Sequence, residues 1–312
     1  TYGRQIFAIT DPKSGALRKK VDVAHAADPL SFRSMPLLPG VGGRYSELNM
    51  GLLHLAIIGV RIRDVMAGAR AMRSRCGNRD IFKNPAYMYA VLQTIQYLEK
   101  GKPISILMPF SEQLKSTADW YCQLLAESTG KKYGRLIQKD EQGRESWLHD
   151  RDCIVNVGRT PVPSRGTNDL HSIQQNNIEG ENDKVVTFIR IDNFKDDITV
   201  PGAGDLLSGK KYSRLLSLAQ EATEWALVRN QRPNCTIIMP ELSAYSWGEL
   251  IFFFEMATAF EGELLNINAF DQPGVEGYKN YMYYKLGKPG LSPKISQEIS
   301  ANPLKKIRRY II

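Results

Sequence analysis

Two features of this 312-residue sequence predict an α/β fold with mainly parallel strands. Short apolar runs, the length of buried strands, recur along the chain, and longer amphipathic stretches separate them. Alternation of that kind is the pattern of strands joined by helical crossovers. Residues 5–10 (QIFAIT) open the series and are stopped by Asp11-Pro12. Residues 104–110 (ISILMPF), 153–157, 185–191 and 235–239 are the further predicted strands. The stretch 112–129 carries Leu114, Ala118, Tyr121, Leu124, Leu125 and Ser128 at three- and four-residue spacing, which predicts a helix with one buried face. Residues 206–229 and 246–263 read the same way, and Pro273 opens a further helix to about residue 286.

The distribution of these elements divides the chain. Residues 1–80 hold one clear strand and two or three helices, too few for a complete doubly wound sheet. Residues 84–265 hold four strands and at least four helices, enough for a whole one. The stretch from Cys76-Gly77-Asn78 to Asn84-Pro85 reads as the connection, and residues 140–150 and 159–166 read as polar, Gly- or Pro-containing loops. Residues 266–312 form a helical segment with a tail that ends basic at Lys305, Lys306, Arg308 and Arg309.

Hydrophobic residues make up 43% and charged residues 24%, which excludes a disordered or collagen-like chain. The apolar stretch 250–254 is far short of a membrane span, so no membrane partner is expected. Lys plus Arg is 41 against 33 acidic residues, a net +8 that favours anionic partners. No basic motif interleaved with aromatics accompanies it, so nucleic acid is not an expected partner. Cys76, Cys122, Cys153 and Cys235 show neither CxxC nor zinc-type spacing. They read as reduced thiols, three of them in core segments, which with the lack of an N-terminal apolar signal predicts a cytoplasmic protein without a bound metal. The absence of an initiator Met suggests that the sequence starts within a domain.

Five stretches could carry chemistry. Gly40-Val41-Gly42-Gly43-Arg44-Tyr45-Ser46 is a Gly-rich turn before a helix-like segment from Glu47, where backbone N–H groups and the Arg44 guanidinium could meet an anion. Pro201-Gly202-Ala203-Gly204-Asp205 reads as a loop with a helix cap. Gln123 and Glu127 lie four apart beside the apolar stripe of one helix, where partial desolvation suits a carboxylate base. In Gly166-Thr167-Asn168-Asp169-Leu170-His171, Thr167 or Asn168 could cap a helix and place His171 in its first turn. In Asn268-Ala269-Phe270-Asp271-Gln272-Pro273-Gly274, Lys279 would follow Gln272 by two turns on about the same face. Taken singly, each also reads as an ordinary turn, cap or solvated helix flank. Of the remaining histidines, His54 lies in an apolar stretch and is expected in the core.

Together and in this order, these stretches resemble the glucose-6-phosphate isomerase family. Gly42-Gly43-Arg44-Tyr45-Ser46 resembles its first signature, Gln123 through Glu127-Ser128 its catalytic-base helix, Gly166 to Ser172 its catalytic-histidine segment, and Phe270 to Glu276 through Lys279 its second signature. The resemblance implies sugar-isomerase domains, each a doubly wound parallel-sheet sandwich, with residues 84–265 as a complete second domain and 1–80 as the rear part of a first. It implies reversible interconversion of glucose 6-phosphate and fructose 6-phosphate, no cofactor, and a homodimer. The family's Ser/Thr-rich phosphate loop has no counterpart here, which puts in doubt whether this stretch of chain is active or stable alone.

By the same resemblance His171 and Lys279 open the sugar ring, Glu127 moves a proton between C1 and C2, and Arg44 offsets enediolate charge. Gly43, Gln123, Gly166, Thr167 and Gln272 would bind substrate, and the histidine can come from the neighbouring subunit. A dual glucose/mannose 6-phosphate isomerase and a non-catalytic sugar-phosphate-binding module are the alternatives.

Overall fold

The computed structural model describes residues 2–38, 42–202 and 204–304. Gly40 and Val41 of the Gly-rich run, Ala203 of the second loop and the basic residues Lys305, Lys306, Arg308 and Arg309 lie outside the described residues. Residues Thr1–Phe270 and Asp271–Ile312 form separate compact units.

The first unit begins with strand β1 (Phe7–Thr10), helix α1 (Ala16–Ala27) and strand β2 (Arg33–Pro36), with β1 and β2 parallel and in register. Helices α2 (Gly51–Ile57) and α3 (Ile62–Cys76) follow. The predicted connection after Cys76 is a locked turn. Asn84, almost fully buried, donates through Nδ2 to the Cys76 carbonyl at 2.7 Å and accepts from the Tyr87 N–H at 2.9 Å. It thereby caps α4 (Pro85–Leu98), whose Pro sits where no N–H is needed.

From there the chain runs through β3 (Ile104–Pro109), α5 (Lys115–Thr129), β4 (Lys131–Lys139), β5 (Glu145–Val157), β6 (Thr160–Pro163), α6 (Gln174–Glu179), β7 (Lys184–Asn193), α7 (Tyr212–Arg229), β8 (Asn234–Glu241) and α8 (Ala244–Leu264). Four of these strands form one parallel sheet in the order β6-β3-β7-β8. The chain passes from β3 to β6 on one side and then to β7 on the other, the strand-order reversal of a doubly wound sheet.

Both faces of the sheet are covered. Leu107, Ile189, Ile191 and Met239 pack with residues of α4, α5 and α8, including Tyr89, Leu124 and Phe254. Their strand neighbours Ile106, Met108, Val186 and Phe188 point the other way, onto Leu227 of α7. Burial on both faces is why β3 and β7 read as continuous apolar runs. Helix α8 is apolar nearly all round because it lies against several elements at once. Two glycines let α3 approach it closely. A Cβ on Gly68 would stand 1.9 Å from the Tyr245 carbonyl oxygen, and one on Gly248 would stand 2.1 Å from that of Val65.

Several expectations change. Residues 153–157 are not a strand of the parallel sheet but the end of β5, which pairs antiparallel with β4 in a largely exposed hairpin. Residues 145–150, expected as loop, belong to the same strand, because hairpin arms facing solvent carry polar side chains. The fourth parallel strand is β6, in the stretch 159–166 expected as loop. Its Pro161 and Pro163 are tolerated because β6 is an edge strand with one neighbour. His54 is exposed on α2, a short helix with no buried residue. Among the thiols Cys76 is buried, Cys122 and Cys235 are half-buried and Cys153 is exposed.

The second unit contains α9 (Gly274–Lys285) and α10 (Pro293–Ala301), with the Tyr284 hydroxyl 2.8 Å from Ser300 Oγ. Among the described residues no helix is long and apolar enough to cross a membrane.

Candidate active site

Helix α5 presents Gln123 and Glu127 one turn apart, as their spacing predicts, with Ser128 beside them on the buried side. The Gly-rich run does not lead into a helix at Glu47. It forms a single 3-10 turn, Gly43–Tyr45, and α2 begins only at Gly51. That turn sends Arg44 inward, where it is 1% exposed. The glycine before the turn makes room for it, since a Cβ on Gly42 would stand 3.2 Å from Arg44 Nη1.

The buried guanidinium joins three parts of the chain. Its Nε donates to Ser128 Oγ at 2.9 Å, Nη1 to Glu127 Oε2 at 3.1 Å, and Nη2 to the Ala269 carbonyl at 2.9 Å. The backbone beneath it is held too, because Trp120 Nε1 donates to the Arg44 carbonyl at 3.2 Å. Glu127 takes a second bond through Oε1 from Gln123 Nε2 at 3.2 Å, and Lys131 Nζ donates to its backbone carbonyl. The Glu127 side chain remains 26% exposed against 1% for Arg44. A carboxylate is thus oriented by two donors and open on one side, over a cation that has no access to water. Gly43 faces the same place, as its Cβ position lies 3.9 Å from Gln123 Nε2.

Around this pair the interior is short of compensating charge. The Tyr45 hydroxyl lies 3.3 Å from Ser128 Oγ, and burial raises its phenol above the ordinary tyrosine value. Burial likewise raises Glu47 and, aided by repulsion from Glu47, pushes Glu255 of α8 up to about 8. Glu47 Oε2 and Glu255 Oε1 are buried without a hydrogen-bond partner among the described residues.

The histidine segment lies elsewhere. Gly166 is buried against Phe110, with a Cβ position 2.6 Å from the ring, and its N–H donates to the Pro109 carbonyl at the end of β3. Thr167 is exposed. His171 is not in the first turn of a helix. It follows the 3-10 turn Asn168–Leu170, is exposed, and α6 starts only at Gln174. Asp169 organises the segment by accepting from the Arg165 N–H at 2.7 Å and Ser172 Oγ at 2.9 Å.

Topology separates His171 from Glu127 within one chain. The end of α5 adjoins the start of β6, where a Cβ on Gly158 would stand 2.7 Å from Gly130 Cα. Gly166 and His171 come after the end of that strand. From Lys115 to Glu127 the helix rises about 18 Å. The two predicted catalytic groups therefore lie towards opposite ends of β6.

In the second unit Lys279 is on α9, where its ammonium donates to Glu276 at 2.9 Å and this hydrogen bond raises it above the usual lysine range. Gln272 precedes Pro273, the N-cap of α9, so it lies outside the helix and the two-turn relation to Lys279 does not apply.

Sequence reasoning passed over Ser128 as a partner of Arg44, the Ala269 carbonyl, and an ion pair deep in the core. There Arg159 and Glu261, 1% and 2% exposed, meet at 2.6 Å, with Gln93 Oε1 accepting from Arg159 Nη1 at 3.0 Å. A lone Arg after a glycine, or a Glu in an apolar helix, is the only trace such a pair leaves in sequence.

The family description phosphoglucose isomerase matches residues 203–297. A glucose-6-phosphate isomerase of Carboxydothermus hydrogenoformans is 38% identical across 100% of this chain and 63% of its own length. The chain is thus similar over its whole length to part of a glucose-6-phosphate isomerase. Another glucose-6-phosphate isomerase, from Symbiobacterium thermophilum, is 35% identical over 93% of this chain and 60% of its own. The chain thus spans about three fifths of the length of these curated relatives. A crystal structure of a hypothetical protein from Thermus thermophilus superimposes with a TM-score of 0.77 at 31% identity, covering 91% of this chain and 63% of that one. The glucose-6-phosphate isomerase of Chlamydia trachomatis shares the fold, with a TM-score of 0.74 at 22% identity, covering 96% of this chain and 56% of its own.

Proposed function

We propose that the protein carrying this chain interconverts glucose 6-phosphate and fructose 6-phosphate. The observation that carries the reading is the Arg44–Glu127 pair. A carboxylate held by Gln123 on one oxygen and by a buried guanidinium on the other has a fixed plane and one open side. That is what a base needs to take a proton from one sugar carbon and return it to the next. The fixed cation beside it offsets charge that develops on the enediolate oxygens, and it needs no reorganisation as the charge forms.

Ring opening is assigned to His171 and Lys279. Lys279, kept protonated by Glu276, would offer the ring oxygen a charged hydrogen-bond donor. Gly43, Gln123, Gly166, Thr167 and Gln272 are assigned to substrate contacts. Since His171 and Glu127 lie towards opposite ends of β6 within one chain, we assign the histidine of each site to a second copy, which makes a homodimer the working unit.

The test is isomerisation of fructose 6-phosphate by the whole protein that carries this chain and by its Glu127→Gln variant. The variant keeps the shape and loses the base, so kcat should fall roughly 10²–10⁴-fold. Near-normal turnover by the variant excludes Glu127 as the base, and an inert wild type overturns the activity itself.

A further inference from the structure

A cavity of about 430 Å³ opens between α4, the turn Ile81–Lys83 and the starting ends of β7 and β8. It takes no part in the Arg44–Glu127 arrangement, and none of the residues assigned to isomerisation lines it. Its size is that of a small-molecule site.

Gln93 lines this cavity although it is only 2% exposed. Arg159 donates to its Oε1, and a guanidinium can only donate, so the orientation of the amide is decided. The Nε2 amide group makes no hydrogen bond to protein among the described residues and is not fully buried, so it is open to an acceptor in the cavity. The neighbouring Tyr89 hydroxyl is already committed to Thr187 Oγ1 at 2.9 Å. The walls are mostly apolar, with Gln96, Asn234 and Thr236 as further polar groups, and two apolar side chains are unusually open for their size: Phe82 is 85% exposed and Leu92 51%. The charged side chains on the lining are Arg75 and Lys83, and among the described residues no carboxylate lines it. Asp80 stands 3.6 Å from Lys83 but outside the lining.

We propose that this cavity binds a small organic anion with an apolar ring. The ring lies between Phe82 and Leu92, an acceptor atom meets Gln93 Nε2 at depth, and the anionic group faces Arg75 and Lys83. This assignment stands apart from the proposed isomerase activity.

The probe is 4-hydroxyphenylacetate, titrated calorimetrically into the full chain. Phenylacetate, which lacks the acceptor, and 4-hydroxyphenethyl alcohol, which lacks the anion, are run beside it. Saturable binding at one site per chain is expected, weakened roughly fivefold by each omission, the size of one neutral hydrogen bond or one partly solvated charge contact. Leu92→Trp, at a half-exposed position that tolerates bulk, fills the cavity and should abolish binding. Lys83→Glu, on the surface, should weaken the acid and leave the alcohol unchanged. Fructose 6-phosphate at saturation should leave probe binding intact. No saturable binding at millimolar probe, undiminished binding in folded Leu92→Trp, equal affinity for acid and alcohol, or displacement by fructose 6-phosphate would each overturn the proposal.

Discussion

Replacing Glu255 by Gln should make the protein more stable, and increasingly so as pH rises. Glu255 sits on α8 in a desolvated place beside Glu47, with Oε1 unpartnered among the described residues, and these two causes lift its carboxyl from the ordinary 4.5 to about 8. Because the folded value is the higher one, the folded state holds more protons than the unfolded state between those two pH values. Stability is therefore unaffected by the group below about pH 4.5 and declines as pH rises towards 8. At about 1.4 kcal/mol for each pH unit separating the two values, the whole decline amounts to roughly 4–5 kcal/mol. A glutamine of the same shape carries no charge at any of these pH values. Urea unfolding of wild type and Glu255→Gln at intervals from pH 5 to 9 measures the effect. The gap between the two should be small at pH 5 and grow by several kcal/mol by pH 9. A gap that stays constant or closes with rising pH would refute the reasoning, because it would mean that Glu255 is ionised in the folded protein throughout.

Breaking the core ion pair should be far worse than removing it. Arg159→Met or Glu261→Gln alone should each cost about 3–5 kcal/mol in urea unfolding, since each strands a buried partner, while the double change to apolar residues recovers much of that. Gly68→Ala forces a Cβ to 1.9 Å from a backbone carbonyl that cannot swing aside, so α3 and α8 must separate. A loss of about 3 kcal/mol is expected, seen as a lowered melting temperature in calorimetry. Ser128→Ala removes the acceptor for Arg44 Nε and the neighbour of the Tyr45 hydroxyl. Turnover of fructose 6-phosphate should drop about tenfold or more with KM little changed, consistent with losing a hydrogen bond to a charged group. Activity restored by Ser128→Thr would confirm that the hydroxyl is what matters.

The legible parts of the fold are those where local pattern and final environment coincide. β3 and β7 are buried on both faces, so their sequences carry unbroken apolar runs. α5 has one buried face, so its apolar residues fall at helical spacing. β6 was hidden because an edge strand can hold Pro161 and Pro163, which in sequence signal a loop. The β4–β5 hairpin was hidden because its arms face solvent. His54 misled because it lies among apolar neighbours on α2, a helix too short to bury any of them. His171 misled in its setting because a single 3-10 turn begins with the same residues as a longer helix.

For the site, order along the chain groups Arg44, Gln123, Glu127, His171 and Lys279 only as what the family resemblance implies, since the motifs that carry it are local. Distance was not legible. Arg44 and Glu127 are 83 residues apart and meet because the Gly43–Tyr45 turn aims a guanidinium under the end of α5. The Ala269 carbonyl that completes its surroundings is 225 residues from Arg44. Such contacts follow from how helices stack on the sheet, and no spacing rule encodes them. The alternation of strands and helices, the apolar faces and the motif residues were determined by the sequence alone, because each depends on a few neighbouring side chains. Which groups share a buried space, which carboxyls are forced to hold a proton, and which end of the strands each motif lies at were decided only by the tertiary structure, because burial and charge depend on everything packed around a group.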